Sequence, residues 1–204
     1  MTIVSPAIDD LDALALARRS GWPEDLRVLL ARFPREQWQG HANLGEMARF
    51  WLSRHAMFRE LAGMISGVEA QFREGALPAA EFPRQLVPRL QFLLSQLEVH
   101  HQIEDLHYFP IFRAADTRLA RGFDVLEGDH HAIHADMAAT AETANALLRA
   151  LADKSDARKH GDDYALASGM LIKGLIRHLD DEEDLIVPLI LDRGEEELGV
   201  AHHG

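Results

Sequence analysis

The sequence predicts an all-α fold, an antiparallel up-down-up-down four-helix bundle with a short helical N-terminal extension. Two observations carry this. Aromatics make up 7% of the chain while Ala and Leu abound, and long stretches lack the alternation of strands. Four of those stretches repeat apolar residues at helical three-four spacing and are joined by short connections, and such stripes are buried most simply in an antiparallel bundle. A length of 204 residues suits one domain with a full core. The expected division is an extension over 1–40, the bundle over 41–192 and a tail over 193–204.

Within the extension, Asp9 to Arg19 begins acidic, ends basic and is followed by Gly21, the polarity and stop of a short helix. Trp22-Pro23-Glu24-Asp25 opens a second one, ended by Phe33-Pro34. The first long helix runs from Asn43 to about Phe72, with Leu44, Ala48, Trp51, His55, Phe58, Ala62 and Ile65 on its seam. After a loop from Gly75 to Pro83, the second spans about Arg84 to Phe109, where Pro110 should kink or end it. Its leucines 86, 90, 93 and 97 set a spacing that continues onto His100, Glu104, His107 and Ile111. The third helix, about Arg118 to Ala152, carries Phe123, Glu127, His130, His134, Met137, Leu148 and Leu151 on its seam. The fourth, about Asp156 to Leu191, carries Tyr164, Ser168, Leu171, Leu175, His178, Glu182, Leu185 and Leu189.

A formal charge of −12 argues against nucleic acid or an anionic membrane as partner, since both require clustered Lys and Arg. The N-terminus has no basic start followed by an apolar run, and no eighteen-residue apolar stretch occurs, so a cytoplasmic location is expected. The absence of cysteine excludes disulfides, thiolate catalysis and sulfur ligation, leaving nitrogen and oxygen donors for any metal.

Those donors stand where the seams require core. The inward polar set is His55; His100 with Glu104; His130 with His134; and His178 with Glu182 or Glu183. Buried imidazoles and carboxylates are costly unless paired or metal-bound. Five imidazoles and two carboxylates on one layer suit two neighbouring iron ions, with the carboxylates bridging. Tyr108 is a candidate for the wall of a small-molecule pocket, and His107 and Glu127 for hydrogen-bond partners of the ligands. Glu104-x-x-His107 and Glu127-x-x-His130 also match the Glu-x-x-His unit of ferritin-like di-iron proteins, but matching Glu partners on helices one and four are missing. His101 and His131 point about 100° away from the ligand candidates they follow, toward helix packing or solvent, and Asp180, Asp181 and Asp184 read as solvated charges.

In this ordered set, from about residue 43 to 192, the chain resembles the hemerythrin-like (HHE cation-binding) family. The family's single His, His-x-x-x-Glu, His-x-x-x-His and final His with a nearby acid correspond to His55 in RHAMFRE, His100 and Glu104 in HHQIEDLHYFP, His130 and His134 in DHHAIH, and His178 in HLDDEEDLIVP. The resemblance implies a nonheme di-iron centre of two Fe ions, oxo- or hydroxo-bridging being one option, with Glu104 and the fourth-helix acid as bridges. Helical geometry favours Glu182 for that acid, while oxygen-carrying hemerythrins place it at the position of Glu183. The implied function is binding or sensing of dioxygen, a related small molecule or iron. The alternative is a di-iron enzyme, peroxide-consuming, oxidase-type or repairing iron centres, so enzyme activity is left open. A homo-oligomer or a protein partner would dock through the N-terminal extension.

Overall fold

The computed structural model describes residues 13–201, and among them helices are the only regular elements. The helix expected over residues 9–19 begins outside the described residues, as do His202 and His203. Its described end is a turn in which the amides of Arg18 and Arg19 donate to the Ala15 carbonyl. Pro23 and Pro34, with φ fixed at −67°, lead into 3-10 turns at Glu24–Leu26 and Arg35–Gly40. Between them lies α1 (Val28–Arg32). The long helices follow as α2 (Glu46–Arg73), α3 (Phe82–Ile103), α5 (Ala120–Ala152) and α6 (Arg158–Arg193), within a few residues of their expected ends except that α3 stops at Ile103, six residues before Phe109. The shorter α4 (Phe109–Ala115) and α7 (Glu195–Leu198) complete the chain. No helix among the described residues is long and apolar enough to cross a membrane.

Pro110 does not end its helix. A π-helical turn at Glu104–Tyr108 joins α3 to α4, and the Phe109 amide donates to the Glu104 carbonyl, five residues back. A proline removes one i→i−4 bond and crowds the carbonyl four residues earlier, and a widened turn relieves both. The extra residue also resets the seam. His107 is exposed and Ile111 is 36% exposed, while Phe109 and Phe112 are fully buried, so the step inward from Glu104 is five residues rather than three. A smaller slip occurs late in α5, where Leu147 and Ala150 are buried in place of Leu148 and Leu151.

The chain divides into two compact units, with the divisions falling inside α2, α3, α5 and α6. One comprises the residues up to Ser53, Ile103–His131 and those from Arg177. Its core gathers Trp22, Leu26, Trp38, Trp51, Phe109, Phe112, Phe123 and the apolar residues from Leu185 to Leu191. Residues from the stretch before 41 therefore contribute to this core. The other comprises Arg54–Gln102 and Ala132–Ile176, with Phe58, Ile65, Leu86, Leu93, Leu97, Ile133 and Leu171 buried.

In the first unit the start of α2 is capped from the far end of the sequence. The Glu195 carboxylate accepts from the amides of Met47 at 3.3 Å and Ala48 at 2.8 Å, satisfying donors that a helix N-terminus leaves open. A Cβ on Gly45 would fall on that carboxyl group. Gly45→Ala is therefore expected to displace the cap and cost about 1 kcal/mol, roughly 2–4 °C in Tm. Glu195→Ala should cost as much, and a thermal melt of the double variant should show little further loss.

Candidate metal centre

The π turn and α6 bring two carboxylates together inside the first unit. Glu104 and Glu182 are 1% and 0% exposed and have oxygens within 4.8 Å of each other. Burial pushes both carboxyl groups well above the usual carboxylate range. The two carboxyl groups face each other, and the charge of Glu104 raises Glu182 further. Without a cation this pair holds a proton where an exposed pair would be ionised.

Two imidazoles face the carboxylates. His130 Nε2 lies 3.5 Å from Glu104 Oε2, His178 Nε2 lies 3.6 Å from Glu182 Oε2, and the two Nε2 atoms are 3.2 Å apart. Glu104, His130 and His178 thus have donor atoms all within 4.8 Å of one another. On the far side of each ring Nδ1 meets an aspartate, Asp105 at 2.8 Å for His130 and Asp129 at 3.3 Å for His178. An ionised carboxylate only accepts, so each pairing favours a proton on Nδ1 and leaves the Nε2 lone pair turned toward the glutamates.

Asp129 belongs to a buried charge network. Burial would raise its carboxyl group, but hydrogen bonds from Arg19 and His178 outweigh that and hold it below the usual range. Arg19 also donates to Asp181 at 2.6 Å, as does Arg177 at 2.8 Å, and the Trp22 indole N–H donates to the Asp181 carbonyl at 2.6 Å. Asp181 is 1% exposed, which corrects its reading as a solvated charge. Asp184 is half-buried and pairs with Arg35 at 2.6 Å. The five acids after His178 hold the N-terminal stretch as well as the site, and an acidic run read without its arginine partners cannot reveal that.

In the second unit, His55 and His100 turn their Nε2 atoms to within 3.2 Å of each other, with the Phe58 ring 5.1 Å from that of His100. His101 is fully buried, and its Nδ1 lies 3.1 Å from His134 Nε2. His134 itself is 36% exposed, with Nδ1 3.7 Å from Glu98. His100 and His101 precede Glu104 by four and three residues in the sequence. His101 was expected in helix packing or solvent.

The remaining candidates lie elsewhere. Glu183 is buried but bonds Arg35 at 3.0 Å. Tyr108 is half-buried with its ring 4.9 Å from that of Trp51, and burial followed by the charges of Glu104 and Glu195 raises its hydroxyl. The exposed His107 lies away from the carboxylate pair, and Glu127 forms a half-exposed ion pair with Arg113 at 3.1 Å. His131 is exposed, as expected.

A cation fits these donors. Two nitrogens 3.2 Å apart are the separation of adjacent ligands each about 2.1 Å from one ion and about 100° apart, and both the His130–His178 and the His55–His100 pairs show it. An N–H···N bond has the same length, so the deciding feature is charge. Two fully buried carboxylates flanked by imidazole nitrogens gain more from a cation than from a shared proton.

Comparison with known families matches residues 46–190 to the hemerythrin HHE cation binding domain. Neither the curated proteins nor the solved structures compared contain a match. The family match spans more than half of the 204 residues and encloses every ligand candidate, with buried His and Glu clusters compatible with metal binding, so the chain belongs to the hemerythrin HHE cation-binding domain family.

Proposed function

We propose that the protein is a nonheme di-iron protein that binds or senses dioxygen or a related small molecule in the core of an antiparallel four-helix bundle. The observation that carries this is the buried pair of Glu104 and Glu182, on different helices and flanked by imidazoles. In this reading both carboxylates bridge. His130 and His178 hold one ion together with Glu104. His55 and His100 hold the other. His134 orients His101. Glu182 rather than Glu183 is the fourth-helix bridge, because Glu183 is engaged by Arg35.

Two ferrous ions would supply the electrons and the open coordination position that a small oxidant requires. The chain's own residues do the rest. Asp105 and Asp129 hold the ring orientation of His130 and His178. Phe109, stacked 5.4 Å from His130, and Phe58 beside His100 keep water from the rings in their respective units. Tyr108, close enough to Glu104 for its charge to raise the hydroxyl, offers a proton or a hydrogen bond near the bridging carboxylate.

Loading the protein anaerobically with ferrous iron and adding dioxygen, nitric oxide and peroxide in turn tests this reading. A stable, oxygen-dependent absorption without turnover is the expected result. Rapid peroxide consumption that disappears in His55→Ala would instead establish the enzyme alternative. No spectral response to any of the three would contradict both.

A further inference from the structure

Arg19 precedes the family-matched residues, yet its side chain is 1% exposed and reaches a residue that contacts His178. Two of its guanidinium nitrogens bind the two oxygens of Asp129, Nη1 at 2.8 Å and Nη2 closer still, while Nε binds Asp181 and Nη1 also donates to the Leu14 carbonyl. Two parallel bonds from a planar fork stop a carboxylate from turning. The same Asp129 carboxylate meets His178 Nδ1, and the opposite ring nitrogen is the one that faces Glu182 and His130.

The two aspartates behind the ligand rings differ in what they require. Asp105, behind His130, is 38% exposed and open to solvent. Asp129, behind His178, is 3% exposed and needs a buried cation to stay in place. Arg177 serves Asp181, so the fork that fixes Asp129 comes from Arg19.

Resting on the metal-centre reading above, we propose that Arg19 is a positioning residue of that centre: it locks Asp129, which orients His178 with Nε2 toward the metal. The stretch before the family-matched residues thereby contributes to metal affinity and not only to the core of its unit. A plain structural clamp would instead act through stability alone.

Competition of the full-length protein with a chelator for cobalt(II), followed by its visible absorption, separates these roles. Arg19→Met should weaken the tighter binding about 10–100-fold and alter the cobalt spectrum. Arg19→Lys, which keeps the charge but loses the fork, should show an intermediate loss. Leu26→Ala removes a buried side chain of the same stretch with no bond to Asp129, and should lower Tm while leaving affinity and spectrum as in the parent protein. Parental affinity in both Arg19 variants overturns the proposal, as does an equal loss in Leu26→Ala. If Arg19→Met does not fold, Arg19→Lys carries the test on the same criteria. Failure of the parent protein to bind cobalt would sink the metal-centre reading itself, a different outcome from parental affinity in the variants.

Discussion

Glu104→Gln is expected to abolish tight metal binding and, in the same molecule, to stabilise the metal-free fold near neutral pH. The two effects have one cause. Glu104 is fully buried beside Glu182, and burial holds both carboxyl groups well above the usual range. The metal-free protein therefore keeps a proton on a pair that the unfolded chain would release, and carries the strain of whatever charge remains. A neutral amide of the same shape removes that conflict and can still hydrogen-bond to Glu182. The gain should be about 1–2 kcal/mol, roughly 2–8 °C in Tm for a chain of this size. With a metal present the order inverts, because the parent protein gains binding energy that the amide cannot supply. Parallel melts with chelator and with ferrous iron measure both signs. A variant that is less stable than its parent with chelator, or that retains parental metal content, contradicts the assignment.

The second large effect is in pH. Both glutamates have folded-state values raised by burial, Glu182 also by the charge of Glu104. The metal-free fold is therefore favoured while both states are protonated, below the unfolded value of about 4.3. It loses stability as pH rises from there through the folded-state values. The slope reaches about 1.4 kcal/mol per pH unit wherever the folded state holds one proton more than the unfolded. Metal binding requires ionised carboxylates, so the loaded protein should lack this loss. Urea titrations between pH 5 and 8 with chelator test the sign, and Glu104→Gln should flatten the profile. An identical slope in parent and variant would show that other groups set it.

The long helices were legible because their seams repeat without interruption. Every seam residue expected on α2 from Leu44 to Ile65 is buried, as are those on α6 from Tyr164 to Leu189. Legibility failed where one residue is inserted. Pro110 signals a disturbed helix, but helical spacing continued through it places His107 inward, whereas the π turn places Phe109 there. The apolar spacing of Glu104, Phe109 and Phe112 was the available clue. His101 is buried in helix packing, as one of its two expected settings, but its partner His134 stands 33 positions away and could not be named from spacing. The long-range partners left no periodic trace. Arg19 and Asp129 stand 110 positions apart and meet only through the fold. His55, Glu104, His130, His178 and Glu182, by contrast, are buried polar residues at positions a seam reserves for core, and that conflict is visible in one dimension.

In the proposed function the buried carboxylate pair holds two metal ions. Elemental analysis of protein loaded anaerobically with excess ferrous iron and then desalted tests it most directly. The expected result is about two irons per chain, falling to none retained in Glu104→Gln. Retention of no iron by the parent protein, with a melting temperature indifferent to both iron and chelator, would contradict it.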